Sequence, residues 1–294
     1  MTTLPPHPLR VAAAAYPIET HRCWQAFADK LALWVANAAR DGAHIATLPE
    51  YAGLETAFIG AITPASPGTW CIRGAESAGS YAALCATLAQ KHALTLLSGS
   101  LPVKVQGDLV NRAYLCGPNG QVLPIDKQIL TPWERAETPL CPGPALPAVA
   151  TEHGRLAALI CYDGEFPPLA RALAPDILLM PACTEGADGD ARLRAAARAR
   201  ALEAQAVTVH APLLGHVPAC PIVDANTGRA GIYAPPDTPF PSDGTLAEGV
   251  PDTPGWVTAE VESGALTKTR AHGAVAPRAH MAEAEARAAR VMSG

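Results

Sequence analysis

An α/β layered fold is what this sequence predicts, and three observations carry that reading. Short apolar runs of strand length alternate along the chain with longer segments whose apolar residues recur at helical spacing. Gly- and Pro-rich turns such as Gly117-Pro118-Asn119-Gly120 punctuate the two kinds of segment. The 294 residues are 49% hydrophobic, ample for a large core.

Leu9 to Ala15 reads as a first strand, though a weak one because four of its seven residues are alanine. Trp24 to Arg40 reads as a helix, with Trp24, Phe27, Leu31, Trp34 and Val35 on one apolar face and Gly42 as its stop signal. His44 to Leu48 is a short strand that ends on Pro49-Glu50-Tyr51. Gly60 to Gly79 reads as loop, Tyr81 to Lys91 as helix, and Leu94 to Ser100 and Leu109 to Leu115 as strands. Gln121 to Ile125 leads into Asp126-Lys127, and Gln128 to Arg135 reads as loop. Val149 to Thr151 and Leu156 to Ile160 form a hairpin that ends on Cys161. Leu169 to Leu173 is a short helix, and Asp176 to Met180 a buried strand running into Pro181-Ala182-Cys183-Thr184-Glu185. Asp190 to Ala206 is a long helix, followed by the strand Val207 to His210. Residues 211–255 are dense in Pro and Gly, with Ile222-Val223 as strand and Asp224 to Gly228 as turn. Trp256 to Val261 is a final strand, and Met281 to Val291 is a charged helical tail. No internal repeat and no linker composition interrupts this order.

A formal net charge of -5 and the absence of a basic run argue against nucleic acid and anionic membrane as partners. No apolar stretch reaches the length of a membrane span. The first residues, Met1 to Pro8, are polar and proline-rich without a signal pattern, so the expected location is cytoplasmic and the eight cysteines are expected as reduced thiols. The sequence holds no C-x-x-C, H-E-x-x-H, G-x-S-x-G or G-x-G-x-x-G, so neither a zinc site nor a dinucleotide fingerprint is indicated.

The residues with chemistry to offer sit at strand ends, where open parallel sheets place their ligands. Cys161 follows five apolar residues and precedes a turn-prone Asp163-Gly164, the strand-to-helix bend that exposes a nucleophile. A thiol with a pKa near 8.5 needs a base, and Glu50 is a candidate. Attack on a carbonyl or nitrile creates negative charge, which the Lys127 ammonium and the N–H of Tyr162 can hold. Each of these residues alone also has an ordinary reading: a packed thiol, a surface carboxylate, a solvated lysine. Together they supply the parts for thioester chemistry without a histidine.

On these residues the sequence resembles the nitrilase, or carbon–nitrogen hydrolase, superfamily over roughly residues 9–270. Leu48-Pro49-Glu50-Tyr51 looks like its catalytic-glutamate motif, Asp126 to Leu130 its lysine motif, and Cys161 to Pro167 its cysteine motif. Asn111-Arg112-Ala113, Arg200 to Glu203 and Asp224 to Gly228 resemble further landmarks. The resemblance implies a four-layer α-β-β-α sandwich formed by one domain over 1–294, with 271–294 as a tail at a possible subunit interface. It implies a homodimer or higher homo-oligomer joined through a helical layer, and hydrolysis of a small amide or nitrile with no metal or organic cofactor. It also implies a second glutamate that positions the lysine; Glu134 is preferred and Glu137 is the rival. Tyr51, Tyr162, Cys183 and Thr184 are the candidate oxyanion and substrate contacts. Where many members carry a tryptophan after the strand ending at Pro181, this chain has Ala182-Cys183-Thr184, which leaves the substrate open. A nitrilase or N-carbamoyl amidase on the same residues, a Cys–His hydrolase using His210, and a non-catalytic binding protein on the same fold are the alternatives. Asp163 is expected to order the elbow, Arg200 and Glu203 to pair structurally, and the remaining cysteines to pack.

Overall fold

The computed structural model describes residues 8–262 and 264–291. The start of the proline-rich N-terminal stretch and the last three residues of the tail lie outside the described residues. β1 (Leu9–Pro17) shows why an alanine-rich run can be a central strand: its two faces feed two different cores. Val11, Ala13 and Ala15 join one, and Ala12, Ala14 and Tyr16 join the other. A strand covered on both faces reads as continuously apolar. α1 (Trp24–Arg40) follows with the bounds its periodicity predicts, burying Phe27, Leu31, Val35 and Ala38 while Trp24 and Trp34 are half-buried.

Next come β2 (Ile45–Leu48), α2 (Pro67–Glu76), α3 (Ala78–Lys91), β3 (Thr95–Val105), β4 (Asp108–Cys116), β5 (Val122–Asp126), α4 (Pro132–Glu137) and the two-residue β6 (Leu140–Cys141). The second half holds β7 (Ala148–Thr151), β8 (Gly154–Ala158), α5 (Pro167–Leu173), β9 (Ile177–Ala182), α6 (Ala187–Ala204) and β10 (Val207–Leu214). It closes with β11 (Gly231–Tyr233), β12 (Thr245–Glu248), β13 (Gly255–Val261), α7 (Ala265–His272) and α8 (Pro277–Ala288).

The strands run in the order β5-β4-β3-β2-β1-β10-β9-β8-β7, with β13 antiparallel beside β1. β1 and β10 pair only at their ends, through Tyr16 opposite Leu213 and Pro17 opposite Leu214. The assembly therefore bends there into two half-sheets. One core joins Val11, Leu97 and Ala113 of the first half to Leu156, Leu178 and Val209 of the second, and continues to Leu193 and Ala197 of α6. The other packs Ala12, Ala46 and Leu96 against Phe27 and Leu31 of α1 and Tyr81 and Cys85 of α3. The result is the layer order α-β-β-α. No described helix is long and apolar enough to cross a membrane.

Three stretches differ from their sequence reading. Gly60 to Gly79 is not all loop, because α2 lies within it: the Ser66 hydroxyl accepts the Thr69 N–H, Pro67 opens the first turn, and Trp70 and Cys71 are buried. Its Gly, Pro and Ser content masked a capped helix. Gln128 to Arg135 likewise ends in α4, started by a capping box between Thr131 and Glu134. Ile222 and Val223 are buried but in turns rather than a strand, with the Val223 N–H donating to the Cys220 carbonyl at 3.0 Å. Among the cysteines, Cys71, Cys85, Cys116 and Cys220 pack as expected, whereas Cys141 is half-buried and Cys23 is exposed at the start of α1.

β3 breaks register between Leu97 and Ser100, where Gly99 takes φ +73°. A Cβ at Gly99 would lie 2.5 Å from the Pro49 carbonyl oxygen and 2.8 Å from the Ala52 Cβ. The bulge lets β3 lie directly against the turn after β2 and aims Ser100 at it, so that the Ser100 hydroxyl accepts the Tyr51 N–H at 3.0 Å. Gly99→Ala should therefore cost roughly 3 kcal/mol in urea unfolding, from overpacking and left-handed strain together. Gly60→Ala, at a similar φ of +83° with open space around it, should cost only about 1 kcal/mol. Equal costs would show that Gly99 is needed for its φ alone.

Candidate active site

The carboxyl ends of β2, β5 and β8 meet on one side of the fold. Glu50 stands two residues past β2, Lys127 directly past β5, and Cys161 in a one-turn 3₁₀ segment (Cys161–Glu165) past β8. β5 runs parallel to β2 because two antiparallel pairings, β3–β4 and β4–β5, intervene. The order of strands thus delivers Glu50 from an interior strand, β2, and Lys127 from the edge strand, β5, to the same end of one half-sheet.

Lys127 is the centre of the cluster. Its ammonium donates to Glu50 Oε1 at 2.8 Å and to Glu134 Oε1 at 2.7 Å, with all three residues at 4% exposure or less. The carboxylates are held in turn. Glu50 Oε1 also accepts from the Asn111 amide at 2.9 Å. Glu134 Oε1 accepts the Tyr51 hydroxyl at 2.9 Å, and its Oε2 accepts the Thr131 N–H at 2.8 Å. The capping box that starts α4 therefore also fixes Glu134. Glu137, the rival, is exposed and outside the cluster.

Burial pushes the Glu50 carboxyl above its ordinary range, with Glu134 adding to the rise against the pull of Lys127. Burial acts on Glu134 in the same sense, but Lys127 and the hydrogen bonds from Thr131 and Tyr51 outweigh it and hold that carboxyl low. Burial alone would lower Lys127; its two carboxylates instead hold it well above the usual lysine range. Burial and the neighbouring Glu50 push the Cys161 thiol well up, so it rests protonated. A neutral thiol beside a carboxylate of raised basicity can pass its proton as it attacks.

Cys161 has φ +51°, a left-handed backbone rare for a side chain with a Cβ. Its thiol donates to the Cys183 carbonyl at 3.6 Å. Asp163 braces the bend as expected, and does more: its carboxylate accepts the Gln128 N–H at 3.0 Å and the Ile129 N–H at 2.8 Å. It thereby ties the cysteine elbow to the lysine loop of the other half-sheet. Arg200 pairs with Glu203 at 2.9 Å, and also donates to the Gly164 carbonyl at 3.0 Å.

A cavity of about 630 Å³ opens over this cluster, lined by Glu50, Lys127, Glu134 and Cys161 together with Tyr51, Tyr162, Cys183 and Thr184. The polar ends of three of those wall residues are engaged. Tyr51 is bound to Glu134, Cys183 donates to Asn226 Oδ1 at 2.9 Å, and the Thr184 hydroxyl donates to the Thr227 carbonyl at 2.9 Å. They shape the wall. His210 is buried within β10, off the cavity, with Nε2 3.6 Å from Asp190, so the geometry gives no support to a Cys161–His210 pair. Among the described residues no group of three or more His, Cys, Asp or Glu is arranged to hold a metal ion. Sequence reading passed over Asn111 as a functional side chain. It is a polar amide on β4 that is fully buried, and its backbone carbonyl accepts the Lys127 N–H at 2.9 Å.

A family model described as carbon-nitrogen hydrolase matches residues 10–218. A probable hydrolase, YhcX of Bacillus subtilis, is 31% identical over 271 residues, which is 91% of this chain and 52% of that protein. The deaminated glutathione amidase of Synechocystis is 31% identical over 184 residues, covering 56% of this chain and 64% of that one. The chain spans about half the length of the first of these relatives. Among solved structures, Nit3 of Saccharomyces cerevisiae, a member of branch 10 of the nitrilase superfamily, superimposes with a TM-score of 0.69 at 18% identity, over 90% of this chain and 94% of that one. An amidase variant from Nesterenkonia sp. AN1, in which fluoroacetamide has added its acetamide moiety to the active-site cysteine, gives a TM-score of 0.69 at 20% identity over 98% and 99% of the two chains. At these identities the superpositions speak to the fold.

Burial raises the Asp163 carboxyl from its ordinary 3.8 to about 7, against the pull of the two backbone N–H groups. Between those values the folded chain keeps a proton that the unfolded chain has lost. The associated stability is complete below about pH 4 and is lost as the pH rises through 7. Asp163→Asn keeps an oxygen facing both N–H groups and removes the titration. Its unfolding free energy should therefore decline less than that of the parent between pH 4 and 7, by roughly 2–4 kcal/mol. Parallel stability–pH curves from urea unfolding would refute this.

Proposed function

The chain belongs to the carbon–nitrogen hydrolase family of the nitrilase superfamily, and from that membership we propose that it hydrolyses a small linear amide to an acid and ammonia through a thioester on Cys161. The observation that carries the proposal is the buried cluster itself: a left-handed cysteine elbow opening on the same cavity as a lysine clamped between Glu50 and Glu134. The amidases among the similar proteins favour the amide reading over the nitrile and carbamoyl ones.

In this mechanism the Cys161 sulfur attacks the carbonyl carbon while Glu50 takes the thiol proton. Charge that develops on the carbonyl oxygen is held by the Lys127 ammonium and the Tyr162 N–H. Loss of one such donor typically costs on the order of 3 kcal/mol of transition-state stabilisation. Glu50 then returns the proton to the departing nitrogen, and the C–N bond breaks. A water, deprotonated by Glu50, attacks the thioester, and the thiol leaves with that proton. Glu134 positions Lys127 and does not exchange protons, in keeping with a carboxyl held low by its partners.

Cys161→Ala should abolish turnover, and Glu50→Gln should lower kcat by at least about 100-fold, because general acid–base help is lost in both half-reactions. Quenched in acid during turnover of a mixture of simple amides, the parent should carry an acyl adduct on Cys161 by intact-mass spectrometry, and Glu50→Gln should form it far more slowly. Full activity in Cys161→Ala would end the proposal. Release of carbon dioxide together with ammonia would replace it with the carbamoyl reading.

A further inference from the structure

The cavity above the cluster has a strong charge imbalance. Six carboxylates line it (Glu50, Glu134, Glu165, Glu185, Asp188 and Asp224) against two cations, Lys127 and Arg192. Lys127 is consumed by Glu50 and Glu134, and Arg192 lies 3.5 Å from Glu165. The other three acids, Glu185, Asp188 and Asp224, are exposed, and their carboxylates make no ion pair or hydrogen bond among the described residues. They come from two separate segments, the β9–α6 junction and the turns after β10. They are not gathered as a metal-ligand set. The indole of Trp133, on α4, lines the same cavity at 41% exposure, a large apolar surface left open where a ligand passes.

Unpaired charges of one sign on the wall of a cleft focus its field and raise the local concentration of the opposite charge. An open indole adds a surface that attracts cations through its ring face. At about 630 Å³ the cavity has room for far more than an amide group and a short acyl chain. The same wall repels a carboxylate tail, which is how a site rejects a wrong substrate as well as attracting the right one.

We infer that the amide taken by this site carries a cationic group, an ammonium or guanidinium, on the end of its acyl chain away from the scissile bond. Glu185, Asp188 and Asp224 receive that group, and Trp133 covers it. The inference rests on the amide-hydrolase reading for its chemistry and on the cavity wall for its charge.

The test compares three amides of one length: 6-aminohexanamide, hexanamide and the monoamide of adipic acid. In low salt kcat/KM should fall in that order, by at least about tenfold between the first and the last. The spread should narrow in 0.5 M salt as screening shortens the reach of the wall charges. In the Asp188→Asn/Asp224→Asn double variant the ratio of cationic to neutral substrate should move toward one. In Glu283→Gln/Glu285→Gln, which makes the same change in net charge on α8 outside the cavity, the ratio should stay at its parent value. Equal rates for the three amides, a preference for the carboxylate, or the same shift in the α8 variant would overturn the inference while leaving the amidase reading intact. If none of the three is hydrolysed, the amidase reading fails for them, and the charge is read directly. Alkylation of Cys161 by 2-bromoethylamine, iodoacetamide and iodoacetate, each relative to its rate with free cysteine and followed on the Cys161 peptide by mass spectrometry, should rank cation over neutral over anion. Equal or inverted ratios there would also overturn it.

Discussion

The ammonium of Lys127, held at 2.8 and 2.7 Å between two buried carboxylates, is the constraint on which the rest of this structure depends. Three ionised groups out of water cost several kcal/mol each unless their geometry and hydrogen bonds repay it. Every neighbouring element contributes to that repayment. The Asn111 amide on β4 and the Tyr51 hydroxyl past β2 each satisfy a carboxylate oxygen, and Thr131 satisfies another through the first turn of α4. The bulge at Gly99 brings β3 close enough for Ser100 to hold the Tyr51 backbone. Without the lysine, two like charges would face each other in a medium that screens them poorly.

The elbow depends on the same constraint from the other side. Cys161 keeps a left-handed backbone because Arg200 grips the Gly164 carbonyl behind it and Asp163 grips the lysine loop beside it. Backbone strain of this kind persists only where surrounding contacts over-determine it. Its effect is to present the thiol to the cavity floor while the carboxylate of Glu50 opposes premature ionisation.

Much of this was legible in the sequence, for identifiable reasons. α1 was readable to its end residues because its apolar spacing, its Gly42 stop and its length all agree. The three strand-end residues were readable because a reactive side chain directly after a short apolar run is a local pattern. α2 and α4 were not, because their capping signals, Ser66-Pro67 and Thr131-Pro132, sit in composition that otherwise reads as loop. Ile222 and Val223 read as strand because a short buried apolar run looks the same in sequence whether or not it pairs with a neighbour; they cover a core edge from a turn. Asn111 and the grip of Asp163 on Gln128 and Ile129 were out of reach for another reason. Each joins residues far apart in sequence, and only the strand order brings them together.

The seam between the half-sheets has a consequence of its own. β1 and β10 share ladder pairing at just two residue pairs, yet Glu50, Lys127 and Asn111 hang from one side of that seam and Cys161 from the other. Neither half alone contains both the Cys161 thiol and the Glu50 carboxylate. Were the halves to part, Cys161 would have no Glu50 carboxylate beside it. If Cys161 and Glu50 act together as proposed, the fraction of molecules able to react is the fraction in which the two halves are docked.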